Sequence, residues 1–391
     1  VSSERGRYAL VAGGGTAGHL QPALAIAEAL VLAGHERQTI EFVGSARGQD
    51  RATLEGRGFP FTLLPGRGIV RRLDPSDLVR NLGSVVGLGV AAVRALGLVA
   101  RTRPRVVVSV GGYASLPASL AAVVTGVPLV LVNVDAVPGA ANRLFGRFAR
   151  ASAVGWEGTT LPRAVVTGTP VRPEIAAVDR QPARRRQARE ALGLPVDRPT
   201  VAVFGGSLGA RRLNQAVEGL VDAWKERDDR SVYHVVGRRD WEQWEGSGLV
   251  AGDGGSTPGG GLAMVSVPYQ EQMGLVYEAA DLVVCRAGAM TVAELAVAGV
   301  PSVLVPLPGA PGDHQTANAR ELERAGAAVL LPDSECDGAT LAARVDRLLD
   351  DPQRLQMMGL AAASLGRPDA AAAGARVVEA HARPTPAGSP S

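Results

Sequence analysis

The sequence predicts an α/β protein built from two Rossmann-like domains. Short apolar runs alternate with helical stretches, a glycine turn joins strand to helix near the start, and the same arrangement returns after residue 200. Strands alternating with helices form a parallel sheet covered on both faces. At 391 residues and 46% hydrophobic content the chain can bury two cores, since one domain usually holds roughly 100 to 200 residues.

The first element is the apolar run at residues 8–12, read as a buried strand, followed by Gly13, Gly14, Gly15 and Gly18 and a helix over residues 21–33. Leu24, Ile26, Ala27, Leu30 and Val31 give that helix its apolar face. Glycines let a bulky anion approach the backbone, and the amides of the following helix favour negative charge. Gly13, Gly15 and Gly18 also have the dinucleotide-fingerprint spacing. That fingerprint needs an acidic residue at the end of the second strand. Here residues 39–43 end in Gly44-Ser45, with Glu41 inside the strand, which argues against a nicotinamide. His19 stands where a ligand must sit; its alternative is a structural histidine.

Strands follow at residues 59–64, 106–110 and 129–134. Ligands of such sheets bind beyond the carboxyl ends of the strands. The rule gathers His19, Gly111-Gly112-Tyr113 and residues 132–138 around one crevice, with residues 44–47 as neighbours. Residues 82–100 are the most apolar stretch, yet Arg94 and four glycines argue against a membrane span. Arg67, Arg71, Arg72, Arg80, Arg94, Arg101, Arg103 and Arg105 accompany it, and Arg143, Arg147 and Arg150 extend the set. Two readings stand: a basic, apolar surface resting on an anionic bilayer, or a core helix with solvated arginines.

A charged segment at residues 180–190 and the Pro-rich residues 194–199 mark a domain boundary between residues 171 and 200. The opening motif then recurs as strand 201–204, turn 205–209 and helix 210–223, so two mononucleotide-type domains are expected to face one another across a cleft. Ser207 and the adjacent amides are placed to bond a phosphate. After strand 282–285 comes Arg286-Ala-Gly-Ala-Met-Thr-Val-Ala-Glu294. Thr291 as N-cap with Glu294 three residues on fits a capping box, while the same carboxylate suits two ribose hydroxyls. Strand 302–305, loop 306–313 and the polar helix start at residues 314–318 suit sugar hydroxyls. Residues 252–261 and 384–391 read as mobile, and residues 361–382 as a helix packing back on the first domain.

Net charge +3 and 4% aromatic residues argue against nucleic acid. Cys285 and Cys336 suggest neither a disulfide framework nor a zinc site, and a reducing cytosol fits them. No charged segment precedes an apolar core at the start, so no signal peptide is expected. No Asp-x-Asp ends a strand to hold a divalent ion.

These motifs, in order, resemble the MurG family of bacterial UDP-N-acetylglucosamine transferases. The likeness runs through Gly14-Gly15-Thr16-Ala17-Gly18-His19, Gly111-Gly112-Tyr113, Thr169-Pro-Val-Arg172, Gly205-Gly206-Ser207, residues 285–294, and Gln315 with Asn318. The resemblance implies a GT-B fold: residues 1–172 facing acceptor and membrane, 173–362 holding UDP-GlcNAc, 363–383 a terminal helix, and 384–391 a disordered tail. It implies inverting, metal-independent and cofactor-free transfer of GlcNAc to the muramyl 4-hydroxyl of undecaprenyl-pyrophosphate-linked lipid I, giving lipid II for peptidoglycan. It places the protein peripherally at the cytoplasmic face of the membrane and makes cell-wall synthesis proteins candidate partners.

His19, from its place just after the glycine turn, is the candidate base, and the resemblance supplies the remaining site residues. Thr16, Ala17, Gly18, Arg172, Ser207, Gln270, Ala289, Met290, Thr291, Val292, Ala293, Glu294 and Gln315 serve the donor; Gly14, Gly15, Gly112, Tyr113 and Asn142 serve the acceptor. Two departures stand out. Val132-Asn133-Val134-Asp135 replaces the family's His-Glu-Gln-Asn, and Leu208 replaces a glutamine. Asp135 is then either an alternative base or a turn residue. The first departure bears on the acceptor, so a family member glycosylating another lipid-linked or natural-product acceptor, or one that binds a sugar nucleotide without turnover, stands as the alternative. An epimerase of related fold is a further one.

Overall fold

A computed structural model describes residues 6–14, 17–46, 50–65, 75–206, 209–247 and 261–384, with the side chains of Ala17 and residues 75–86 outside that description. The chain divides into two compact units, Val1–Arg172 with Asp369–Ser391, and Pro173–Pro368.

The first unit is built on β1 (Ala9–Gly13), β2 (Ile40–Ser45), β3 (Phe61–Leu64), β4 (Val106–Gly111), β5 (Leu129–Asn133), β6 (Ala151–Val154) and β7 (Ala164–Val166), in the order β3-β2-β1-β4-β5-β6-β7. Every pairing is parallel. Buried runs such as Ala-Leu-Val-Ala in β1 and Leu-Val-Leu-Val in β5 suit a strand enclosed on both faces. Leu10, Val107, Leu129 and Leu131 pack against Ala91, Ala95, Leu98, Ala118, Ala122 and Phe145, so helices Pro75–Thr102, Ser115–Thr125 and Ala140–Phe145 share one face. Strand order reverses between β2 and β4, on either side of β1, and their carboxyl ends open the crevice there.

Helix Ala17–Leu32 begins four residues before the sequence predicts and carries Pro22 inside it. His19 therefore sits in the helix's first turn. The Ala-rich stretch expected as one helix forms two, Pro352–Leu365 and Ala370–His381, because Gly366 and Pro368 interrupt it. The latter helix packs on Ala17–Leu32 and on β4 to β6. Its Glu379 bonds His35 Nε2 at 2.9 Å, and His35 stacks on Tyr8 with ring centroids 3.7 Å apart. Burial first, then the Glu379 charge, pushes the Tyr8 phenol up to about 12. Just beyond it, Arg383 bonds the carbonyls of Gly126 and, through its own carbonyl, Arg105.

The second unit carries β8 (Thr200–Phe204), β9 (Ser231–Val235), β10 (Ala263–Val267), β11 (Leu282–Cys285), β12 (Ser302–Leu304) and β13 (Ala328–Leu330), ordered β10-β9-β8-β11-β12-β13 and parallel throughout. Val201 and Val203 face a core with Leu213, Leu220, Trp224, Leu341 and Val345. Phe204, on the opposite face, meets Tyr277 edge-on at 6.1 Å. The charged segment near residue 185 is helix Pro182–Ala191, whose Arg185 and Arg189 both pair with Asp281 at the foot of β11. Strands β6, β7, β9 and β13 escape the sequence reading: β7 is wholly exposed and β9 carries the polar Ser231 and His234.

Candidate active site

In the first unit the chain leaves β1 at Gly13 and Gly14 and enters helix Ala17–Leu32, which presents half-buried His19. The neighbouring turn after β4 holds Gly111 and Gly112 at φ 101° and 79°, a region that side chains avoid. A Cβ on Gly111 would lie 3.0 Å from His19 Cδ2, and one on Gly112 would lie 3.2 Å from His19 Nδ1 and 2.5 Å from the Gly14 carbonyl. Gly111 and Gly112 of the second turn thus clasp the imidazole, and Gly112 also packs on the Gly14 carbonyl of the first. Ser115, fully buried, donates to the Gly112 carbonyl at 2.8 Å and fixes the second turn. The Tyr113 hydroxyl donates to the Pro65 carbonyl at 3.4 Å, and burial raises its pKa.

Next along the same edge, Val132 and Asn133 end β5, and Val134 and Asp135 follow it. Asn142 is buried and donates Nδ2 to the Val132 carbonyl at 3.0 Å and to Asn133 Oδ1 at 3.2 Å. Asn133 in turn donates to the Asp135 carbonyl at 2.7 Å. Asn142 Oδ1 is buried with no hydrogen-bond partner. Thr169 Oγ1 bonds the Val134 carbonyl at 3.1 Å, tying this segment to the run that ends at half-buried Arg172. Asn142 therefore shapes the 132–135 segment from beneath, and Asp135 lies half-buried at its end.

In the second unit β8 runs into Gly205, Gly206 and, further on, Gly209, with φ 105° at Gly206 and 80° at Gly209. A Cβ on Gly209 would strike the Val236 carbonyl and reach within 3.3 Å of Asp240 Oδ2. Asp240 also accepts from Asn214 Nδ2 at 3.3 Å, and Asn214 Oδ1 accepts from His234 Nε2 at 3.0 Å. Because the Asn214 amide nitrogen already donates, His234 carries its proton on Nε2, leaving Nδ1 as a buried lone pair without a partner. Burial alone pulls the His234 pKa down to about 3.

Helix Ala289–Ala298 opens the other side of this turn system. Its N-cap is Gly288, with no side-chain cap, so the capping box predicted for Thr291 and Glu294 does not form. Glu294 is buried in the second turn and accepts from the Tyr277 hydroxyl at 2.8 Å. The amides of Ala289, Met290 and Thr291 precede the first intrahelical bond, which Val292 makes to the Gly288 carbonyl at 3.0 Å. The side chain of Val292 is fully buried and that of Ala293 nearly so, which leaves main-chain groups as their means of serving a donor. Arg286 bonds the carbonyls of Val305 and Pro306 and pairs with Asp333 at 2.6 Å, fixing the exit of β12. Gln315 Oε1 accepts from the Leu307 amide at 2.9 Å, and Asn318 Nδ2 bonds the Ala287 carbonyl at 3.2 Å. Gln270 donates to the Tyr233 hydroxyl at 2.7 Å and accepts from the Gln272 amide at 2.9 Å, so its side chain is engaged within the protein.

Gly15, Thr16, Ser207, Leu208, Arg47, Arg67, Arg71 and Arg72 lie outside the described residues, as do the side chains of Ala17 and Arg80 and the segments 252–260 and 385–391. Gly18 is exposed in the first helical turn. Sequence reasoning missed Tyr277, Ser115 and Asp50. Only Ser115 had a signal, a hydroxyl three residues after Gly112.

Two Rossmann-like units, each with a glycine turn at the carboxyl edge of its first strand, are the frame of a GT-B glycosyltransferase. Residues 9–154 match the glycosyltransferase family 28 N-terminal domain and residues 200–373 its C-terminal domain. Proteins of Desulforudis audaxviator and Acidothermus cellulolyticus, each named UDP-N-acetylglucosamine--N-acetylmuramyl-(pentapeptide) pyrophosphoryl-undecaprenol N-acetylglucosamine transferase, are similar. They are 40% and 41% identical over 92% and 93% of this chain and 95% of each relative. The crystal structure of Acinetobacter baumannii MurG superposes with TM-score 0.74 at 26% identity, over 96% of this chain and 100% of that one. A Staphylococcus aureus MnaA–UDP structure, at 13% identity and TM-score 0.62 over 94% of each chain, shares the fold alone. The chain belongs to the MurG family of glycosyltransferases.

Proposed function

We propose that the chain transfers GlcNAc from UDP-GlcNAc to the 4-hydroxyl of the muramyl sugar of lipid I, with inversion and without a cofactor. The observation that carries this reading is His19, clasped by Gly111 and Gly112 at the carboxyl edge of the first sheet. In the step, the acceptor oxygen attacks C1 of GlcNAc on the face opposite UDP. The O4–C1 bond forms as the bond from C1 to the diphosphate oxygen breaks, and His19 takes the hydroxyl proton.

Charge grows on the departing diphosphate. The unpaired amides at Ala289, Met290 and Thr291, the helix dipole behind them and Arg172 offset it. A terminus alone contributes about 0.3 to 1 kcal/mol per charge, a base about 10²- to 10⁴-fold, and alignment on the order of 7 to 11 kcal/mol. Alignment dominates. Glu294 takes the ribose hydroxyls, Ser207 the diphosphate, Gln315 the GlcNAc hydroxyls, and main chain at Gln270 the uracil. Gly14, Gly15, Gly112 and Tyr113 border the acceptor, with Asn142 acting through the 132–135 segment.

The helices on one face of the first sheet turn Val90, Val93, Leu120, Val124, Leu144 and Phe148 outward, with Arg94, Arg143, Arg147 and Arg150 exposed among them. No helix among the described residues is long and apolar enough to cross a membrane. This face suits an anionic bilayer carrying the lipid-linked acceptor, on the cytoplasmic side where UDP-GlcNAc is found.

Incubation with labelled UDP-GlcNAc and lipid I tests the proposal: the product is lipid II, and its absence from folded protein that binds UDP-GlcNAc refutes it. His19→Ala should abolish transfer while leaving UDP-GlcNAc affinity intact. Val132 to Asp135, which depart from the family pattern on the acceptor side, favour a second reading in which another lipid-linked acceptor is used; a screen of acceptors against one donor separates the two.

A further inference from the structure

Asp50 is a buried carboxylate, 1% exposed, that the chemistry above does not use. It begins the short helix Asp50–Leu54 after β2, and its Oδ2 accepts from the Ser45 amide at 2.8 Å. The same oxygen lies hard against Gly14: a Cβ on Gly14 would fall upon it, and one on Gly44 would lie 3.1 Å away. One carboxylate oxygen thus touches the carboxyl ends of both β1 and β2.

The contacts continue toward the imidazole. Gly14 presents its carbonyl to Gly112, where a Cβ would sit 2.5 Å from that oxygen, and Gly112 backs onto His19 Nδ1 at 3.2 Å by the same measure. Neither Gly14 nor Gly112 has a side chain to absorb a displacement, so a shift of Asp50 passes through two backbone segments to the ring. Removing the carboxylate leaves a void beneath Gly14 and a buried Ser45 amide without this acceptor.

We propose that Asp50 is a positioning residue for His19: its carboxylate sets the height of the first glycine turn and, through Gly14 and Gly112, the placement of the imidazole. The inference rests on His19 being the base. Asp50 is enclosed behind Gly14 and reaches the site only through the glycine turn, so its loss should act on turnover rather than on donor affinity.

The test compares wild type, Asp50→Ala, Asp50→Asn and Asp50→Glu for melting temperature, UDP-GlcNAc Kd by calorimetry, and kcat with lipid I. Asp50→Ala should lower kcat by about 10- to 100-fold, the scale of a misplaced catalytic group, with the donor Kd unchanged. Asp50→Asn, whose amide oxygen still accepts from Ser45, should recover most of that loss. Asp50→Glu, one methylene too long for the space under Gly14, should again lose turnover. A folded Asp50→Ala with wild-type kcat, or with kcat and donor affinity falling together, overturns the proposal. If the alanine variant does not fold, wild-type kcat in Asp50→Glu overturns it instead. A wild-type protein that makes no lipid II removes the functional reading and this inference with it, whereas active wild type beside an unaffected Asp50→Ala removes this inference alone.

Discussion

Tyr277 donates its hydroxyl to Glu294 Oε2 at 2.8 Å, with both side chains buried in the second unit. The phenol fixes one carboxylate oxygen and leaves the orientation of the other determined. Hydrogen bonds to charged groups contribute about 1.5 to 3 kcal/mol. Tyr277→Phe should therefore raise the KM for UDP-GlcNAc by about tenfold or more, with kcat changed less. Steady-state kinetics with varied donor checks this; an unchanged donor KM means that Tyr277 does not set the carboxylate proposed to hold the ribose.

Gly112→Ala should lower kcat by about 10²-fold without altering UDP-GlcNAc affinity. The new methyl meets the Gly14 carbonyl and the His19 ring, and its backbone is held at φ 79°. Gly34→Ala is the control. It forces the same kind of backbone, φ 102°, with nothing within 4 Å, and so should lose roughly 1 to 2 kcal/mol of stability with kcat intact. Equal kcat in the two variants would contradict the clasp.

The pH dependence of the second unit follows from His234, whose pKa falls from 6.5 to about 3 on burial. The unfolded chain binds this proton below about 6.5 while the folded chain does not until about 3. Stability is complete above the upper value and is lost as pH falls through the window, by about 1.4 kcal/mol per pH unit. Denaturant melts at pH 7 and pH 5 should differ accordingly. His234→Phe should remove that difference while lowering stability at pH 7, since Asn214 loses its donor.

Vesicle sedimentation tests the outward face of the first unit. Binding to vesicles containing anionic lipid should weaken as salt rises, and Arg143→Glu with Arg147→Glu should reduce it at least tenfold, at about 1 kcal/mol per basic residue near the surface. Melting temperature and turnover on a detergent-solubilised acceptor should hold. Salt-independent binding by the double variant would point to another face.

The sequence was informative where local chemistry decides the structure. Gly13, Gly14, Gly205 and Gly206 sit between apolar strands and helices, so the paired strand-turn-helix units could be read directly. It was silent where a partner distant in the chain decides. Asp50 follows a stretch of sequence with no periodicity, and Tyr277 looks like one more apolar residue until Glu294 arrives opposite it. Thr291 and Glu294 have capping-box spacing, yet Gly288 supplies the N-cap and burial assigns the carboxylate elsewhere. Asn142 reads from the sequence as an acceptor-side residue, and the fold adds what the sequence does not show, that its amide nitrogen holds Val132 and Asn133.

The bond between His35 and Glu379 joins residues 344 positions apart in the chain. A nascent chain that has emerged through Arg172 holds all seven strands of the first sheet but lacks the helix that covers β4 to β6 on one side. At roughly 5 to 20 residues per second, translating the second unit takes about 10 to 40 s. During that interval the apolar seat of helix Ala370–His381 is open. The unit whose sheet is made first is therefore completed only after the other has been translated, and a truncation ahead of Ala370 damages the first unit rather than the second.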